Sequence, residues 1–127
     1  MAAHPIVSTP RLDAAMDRIR PVALALPGVV ERPSHGSPTF FTAVGPKGRT
    51  FASVHDEREW HEGRLCLWAA GPKELQEALV SGGPERFFVP PYVGHRGWIG
   101  LRLDLPALDW DEVFGVIEDA HAYVVDR

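Results

Sequence analysis

The clearest periodicity in the chain lies near its C-terminal end. Asp109-Trp110-Asp111-Glu112 has the form of a capping box, an N-cap acid with glutamate three residues later, and Val113, Val116, Ile117, Ala120 and Val124 then recur on one face. The acids in the first turn also suit the positive end of a helix. A second amphipathic helix is predicted near the start. Thr9 is its N-cap, Pro10 takes the first helical position, and Leu12, Ala15, Met16, Ile19, Ala23 and Leu26 follow at helical spacing. Pro21 interrupts that pattern and predicts a kink or a restart, and Pro27-Gly28 ends it.

Between these helices the apolar period shortens to two. Val29 to His35 predicts a short, proline-broken strand placed at an edge. Thr39 to Val44 and Arg49 to His55 flank Gly45-Pro46-Lys47-Gly48, which reads as a four-residue hairpin loop. A polar turn around Asp56 to Glu62 leads to a strand over Arg64 to Ala69. Gly71-Pro72 opens a short helix carrying Leu75, Ala78 and Leu79, and Gly82-Gly83 stops it. The strand Trp98 to Leu105 alternates cleanly: Ile99, Leu101, Leu103 and Leu105 face one way, Trp98, Gly100, Arg102 and Asp104 the other. Helices at both ends with hairpin-length strands between them predict an α+β two-layer sandwich. It has an antiparallel sheet of about five strands, with the N- and C-terminal helices packed on one face.

Composition narrows the class. A chain of 127 residues, 45% hydrophobic and 24% charged, is expected to form one globular domain over 1–127, with residues 1–8 a flexible N-terminus. Met1 to Pro5 show no basic region followed by an apolar core, so no signal peptide is expected, and no apolar run approaches membrane-spanning length. A single cysteine, Cys66, allows no internal disulfide and fits a reducing, cytoplasmic setting. The net charge of −4 argues against wholesale nucleic-acid binding. That charge is uneven. Residues 104–127 hold seven acids against one base, a net −6, and the remainder carries a net +2. The stretches from Arg32 to Asp56 and from Arg86 to Asp104 each hold three cations before their first acid.

Candidate chemistry concentrates in Arg86 to Gly100, where four aromatics, two prolines, three glycines, a histidine and two arginines share one run. Proline and glycine fix a backbone path there, while arginine, histidine and aromatic rings are what a surface uses to grip a partner. Trp98 and Arg102 lie on one side of a strand ~13 Å apart, a stacking ring near a phosphate-pairing cation. The competing reading is that Trp98 covers the outer face of the sheet and Arg102 pairs with a neighbouring acid. His55, Glu57, Glu59 and His61 alternate and are metal-competent types, but so charged a segment reads as a hairpin tip, and no metal is expected. Ser34-His35 and Asp56 lack a nucleophile elbow, and Cys66 between two leucines reads as a small buried hydrophobe. Neither a cofactor loop nor a catalytic set is apparent; no cofactor is expected and the chain is not expected to be an enzyme.

The order of short motifs also resembles a known family. Ala25-Leu26-Pro27-Gly28-Val29, Gly36-Ser37-Pro38-Thr39-Phe40-Phe41, Thr50-Phe51-Ala52, the run through Pro90-Pro91-Tyr92-Val93-Gly94-His95-Arg96-Gly97-Trp98, and Asp109-Trp110-Asp111-Glu112-Val113 together resemble the MmcQ/YjbR family of small bacterial proteins. The resemblance implies a frataxin-like (CyaY-like) sandwich, also described as a double wing, and DNA binding. Arg86, Tyr92, His95, Arg96 and Trp98 match its most specific motif. The candidate nucleic-acid-binding set is Lys47, Arg49, Arg86, Tyr92, His95, Arg96, Trp98 and Arg102: cations for phosphates, Tyr92 and Trp98 to stack or wedge. DNA is thus the expected partner and a membrane is not. The alternative is a protein- or small-ligand-binding domain without nucleic-acid activity, its groove lined by the aromatic–proline run.

Overall fold

The computed structural model describes residues 8–42, 48–58 and 62–126. Thr9 starts the first helix, α1 (Pro10–Ala25), by accepting a hydrogen bond from the Leu12 backbone N–H. Pro21 neither restarts nor ends α1, which runs on to Ala25. Leu12, Ala15, Met16, Ile19 and Ala23 form its buried stripe. The last helix, α3 (Trp110–Val125), starts where Asp109 accepts from the Asp111 and Glu112 N–H groups. Only half of the expected capping box forms, because the Glu112 carboxylate is occupied by Arg86 instead of the Asp109 N–H.

Six strands lie between and beside these helices: β1 (Val30–Ser34), β2 (Ser37–Thr42), β3 (Arg49–Asp56), β4 (Leu65–Ala69), β5 (Phe87–Phe88) and β6 (Ile99–Arg102), with a middle helix α2 (Lys73–Gly82) after β4. The sheet order is β1-β2-β3-β4-β6-β5, and every neighbouring pair is antiparallel. The two-residue β5 is the strand that the alternation pattern missed, since two residues carry no period. β1 occupies an edge, as its proline requires. The loop expected at Gly45 to Gly48 lies largely outside the described residues.

Opposed residues in an antiparallel ladder share a face. Phe40, Ala52, Val54, Leu65, Leu67, Ala69, Ile99, Leu101 and Phe87 therefore form one apolar face, and α1 and α3 pack on it. A bulge between β2 and β3 turns Phe51 to the same side, where its ring meets His121 of α3 edge-on at 5.2 Å. Each fully buried leucine, isoleucine or phenylalanine here contributes ~1.5–3 kcal/mol. The other face carries Ser37, Thr39, Ser53, His55, Cys66, Trp68, Gly100 and Arg102, and no helix of the terminal pair covers it.

That outer face is nevertheless mostly buried. At one end the Phe88 ring lies directly over Gly100, its partner across the β5–β6 ladder, and the Arg64 guanidinium carbon sits 3.6 Å from the centroid of that ring. A methyl group at position 100 would run into three carbons of the Phe88 ring. Gly100→Ala is expected to destabilise the domain by ~1–3 kcal/mol through this overpacking, read as a lower urea midpoint at unchanged slope. An unchanged midpoint would show that Phe88 does not seal the face.

Candidate ligand cleft

A cleft of about 930 Å³ lies on the outer face, beside the segment sealed by Phe88. Its floor is polar because it is the solvent side of the alternating strands: Ser37 and Thr39 from β2, Ser53 and His55 from β3. One rim is the β1–β2 turn. Ser34 and Ser37 pair, which leaves His35-Gly36 as a two-residue loop with both φ angles positive, 52° and 81°. A tight hairpin of that kind needs such angles to match strand twist. The opposite rim is the aromatic–proline run, from which Tyr92, Val93, Arg96 and Trp98 line the cleft. Gln76 of α2 holds that run in place, donating to the carbonyls of Gly94 at 2.8 Å and Trp98 at 2.7 Å. Gly97 closes the turn at φ 99°, with its α-carbon against the Gly71 carbonyl where a side chain would collide.

His55 is the centre of the floor. Ser37 Oγ lies 2.9 Å from its Nδ1 and Ser53 Oγ 2.7 Å from its Nε2, and its ring stacks on Trp68 at 3.6 Å between centroids. Burial pushes the affinity of this imidazole for protons down to a pKa of about 3, against a smaller upward pull from Glu57. The ring is neutral at physiological pH. A neutral imidazole has one N–H and one bare nitrogen, so one serine donates to it and the other accepts from it. Trp68 is 6% exposed, and its Nε1 has no hydrogen-bond partner among the described residues. The Cys66 thiol, two residues back on the same face, is a weak acceptor that this indole only perturbs.

Of the metal-competent alternation, only His55 and Glu57 lie among the described residues, and both are engaged elsewhere. His55 is committed to the two serines. Glu57, fully buried, takes Arg64 Nε at 3.0 Å on Oε1 and Nη2 at 3.1 Å on Oε2, while the Arg64 backbone N–H adds a third bond at 3.1 Å. Burial pushes the Glu57 carboxyl up, but Arg64 outweighs it and leaves the group below the usual carboxylate range. Glu59 and His61 lie outside the described residues. Among the described residues no three His, Cys, Asp or Glu side chains gather where an ion could sit. Burial also pushes the Cys66 thiol up to about 12, so it stays protonated and inert. Asp56 accepts from Arg11 at 2.9 and 2.6 Å and from Thr9 at 2.6 Å, and the Arg11 bond leads in holding its pKa down to about 2. Ser34, His35 and Asp56 all line the cleft, but no hydrogen bond among them is formed.

The candidate cations divide. Arg86 forms a two-point pair with Glu112, both bonds 3.1 Å, and also meets Glu85. Arg102 pairs with Asp104 at 3.0 and 3.2 Å. Arg96 stays near the Trp98 ring, 5.6 Å from its centroid, and has no carboxylate partner among the described residues; Arg49 and Arg58 have none either. Arg49 and Arg96 line a second hollow of about 220 Å³ that shares Thr50, Arg96 and Trp98 with the cleft. Trp98 is only 5% exposed, so it walls both cavities without offering an open stacking face. Tyr92 is 75% exposed. His95 is exposed and lines neither cavity, and Lys47 lies outside the described residues. Sequence reading passed over Ser37, Ser53, Arg58 and Trp68, and weighed His55 only as a metal ligand. For Ser37, Ser53, His55 and Trp68 the one available signal was their shared alternation in β2, β3 and β4, visible only once the register is known; Arg58 follows β3 and had none.

Two terminal helices and a middle one, with a six-stranded antiparallel sheet and a cleft on the face the terminal pair leaves uncovered, make up a small α+β domain. The YjbR family model matches residues 24–123, and the chain belongs to that family. A solved structure with the same fold is that of Deinococcus radiodurans protein DR2400, described as having a DUF419 domain. It is 18% identical with a TM-score of 0.73, over 88% of this chain and 79% of that one. No curated protein matches the sequence. Among the described residues no helix is long and apolar enough to cross a membrane.

The buried neutral His55 makes stability depend on pH. Its pKa is near 6.5 unfolded and about 3 folded. The unfolded chain therefore binds the extra proton, and stability is fully present above pH 6.5 and declines as pH falls. Between pH 6.5 and 5, above the carboxylate range, the expected loss is on the order of 1–2 kcal/mol, and His55→Gln should flatten that limb. Urea melts of both proteins across this window measure it; equal slopes would contradict the neutral, buried ring.

Proposed function

We propose that this YjbR-family domain is a non-catalytic binding module whose ligand occupies the outer-face cleft. One observation carries the reading. Three non-glycine residues among those described adopt a left-handed backbone, His35 (φ 52°), Arg58 (φ 53°) and Tyr92 (φ 68°), and all three line this cleft. Such conformations cost on the order of 1–3 kcal/mol each, most for a bulky residue like tyrosine, and collect where a site is held in shape. Local turn geometry accounts for His35. It does not account for all three meeting around one cavity. The volume of about 930 Å³ also falls in the range of small-molecule sites.

Binding without chemistry is the better reading because the groups suited to catalysis are occupied. An imidazole with a pKa of about 3 is a poor base at neutral pH. Neither of its nitrogens meets a carboxylate that would orient it and stabilise its cation, as a serine–histidine hydrolase needs. Asp56 is held by Arg11 and Thr9.

Nucleic-acid binding is the second reading, favoured by Arg49 and Arg96 lining the same hollow without carboxylate partners. The net charge of −4 and the pairing of Arg86 and Arg102 weigh against a long duplex footprint. A two-arginine contact predicts a log–log salt slope of about −2 for DNA affinity.

Two measurements separate the readings. A fragment screen by amide-shift mapping on the 15N-labelled chain is expected to give hits clustered on His35, Ser37, Arg58, Trp68 and Tyr92. Hits scattered over the helical face would remove the cleft reading. Titration of a labelled DNA duplex at low salt is expected to give no saturable binding, and a slope near −2 would favour the second reading instead.

A further inference from the structure

We infer that the small hollow is a binding site in its own right, beside the cleft, and that it takes a small dianion. It stands whether or not the cleft holds a ligand.

Two like charges converge on this one cavity. Arg49 and Arg96 come from distant parts of the chain, yet both line the hollow of about 220 Å³. Their backbones are held. Arg49 opens β3 opposite Thr42, whose hydroxyl accepts from the Arg49 backbone N–H at 3.2 Å. Arg96 ends a 3₁₀ turn, Gly94–Arg96, and Gln76 ties down the carbonyls of Gly94 before it and Trp98 after it.

Their side chains are not committed. Arg11, Arg20, Arg64, Arg86 and Arg102 each hold a carboxylate, whereas Arg49 and Arg96 meet none among the described residues. The Arg96 guanidinium lies 5.6 Å from the centroid of the Trp98 ring, a contact that favours its position without neutralising it. Both arginines are exposed, so an anion can reach them.

The opposite wall compensates them only in part. Tyr123 and Val124 belong to the last turn of α3, and a helix C-terminus carries about half a negative charge. Against two full positive charges that leaves an excess of about one and a half. A monoanion does not balance it and a dianion does. Each guanidinium presents a planar fork suited to the oxygens of a carboxylate or an oxyanion, and Thr50 adds a hydroxyl. Ala70, Trp98 and Val124 supply apolar wall between these polar groups. The volume limits the guest. At ~30 Å³ for each water-sized group the hollow has room for about seven, enough for a tetrahedral oxyanion or a short dicarboxylate and too little for a nucleotide.

The test titrates the 15N-labelled full chain with sodium sulfate, sodium succinate and sodium butyrate at low ionic strength. Sulfate carries both charges on one centre, succinate carries one at each end, and butyrate is the singly charged control. At least one dianion is expected to bind roughly tenfold or more tighter than butyrate, with amide shifts centred on Arg49, Ala70, Tyr123 and Val124. None of those four lines the cleft. Arg49→Gln and Arg96→Gln are each expected to weaken the dianion by about tenfold, and Arg49→Gln is expected to leave fragment shifts at His35 and Ser37 unchanged. Should either variant lose its fold, the preference of the parent chain for dianion over butyrate still decides. Butyrate binding as tightly as both dianions, dianion shifts away from the hollow, or folded variants with full affinity overturn the inference and leave the cleft reading intact. A single-stranded DNA oligonucleotide that shifts the same amides more tightly than either dianion overturns it in favour of a polymer. Fragments that bypass His35 and Ser37 remove the cleft reading alone.

Discussion

The sheet is buried on two sides but has helices for only one. β4 is buried throughout and β3 from Phe51 to His55, while the terminal helices pack chiefly on the apolar face. Everything distinctive about the molecule follows from how the second face is closed. Six of its residues, Ser37, Thr39, Ser53, His55, Gly100 and Arg102, are polar, charged or glycine, so a third apolar layer could not pack there without stranding hydrogen-bonding groups. Instead the chain brings its own rings and ions down onto it. Phe88 lies on Gly100, Arg64 lies on Phe88, and Glu57 is sealed beneath with all its nearby donors satisfied. Next to it, on β3 and β4, the His55–Trp68 stack does the same work with neutral groups. The cover stops between these two patches and the β1–β2 turn, and that interruption is the cleft.

The run from Arg86 to Trp98 makes this closure possible. It leaves α2, pairs briefly as β5, and is held across the sheet by the two bonds from Gln76. Removing one of those bonds leaves a buried carbonyl without a partner, a larger loss than the bond itself contributes. The same run that covers the sheet also supplies one rim of the cleft, so the stability of the outer face and the shape of the site are set by the same residues.

Much of the architecture was legible in the alternation of the strands and the helical stripes of α1 and α3, because both periods are long enough to stand out. β5 was not, being two residues set by what it pairs with. The candidate site was legible in part. The aromatic–proline run drew notice for its composition, and Tyr92, Arg96 and Trp98 do meet in one cavity. What single positions could not reveal is commitment. Arg86 and Arg102 look like Arg96 in the sequence, yet each finds a carboxylate, Arg86 one 26 residues away and Arg102 one two residues on. His55 looked like a metal ligand because acids follow it along the chain; its ring is held instead by Ser53, two residues back on the same strand, and by Ser37 across the sheet. Which charged groups remain available is decided by the partner each one meets in the folded chain, near in sequence for Arg102 and far for Arg86.

The row of two hydroxyls and one imidazole has a property that its heavy atoms do not disclose. Moving the ring proton from one nitrogen to the other reverses the direction of every hydrogen bond in the row, with no displacement larger than a hydroxyl rotation. The serine that had its own hydrogen tied to the ring is then released to offer it, and its counterpart at the opposite end becomes the one presenting lone pairs. The floor is thus a polarity-reversible wire, able to meet a carbonyl or an amino edge at the same spot on an otherwise unyielding scaffold.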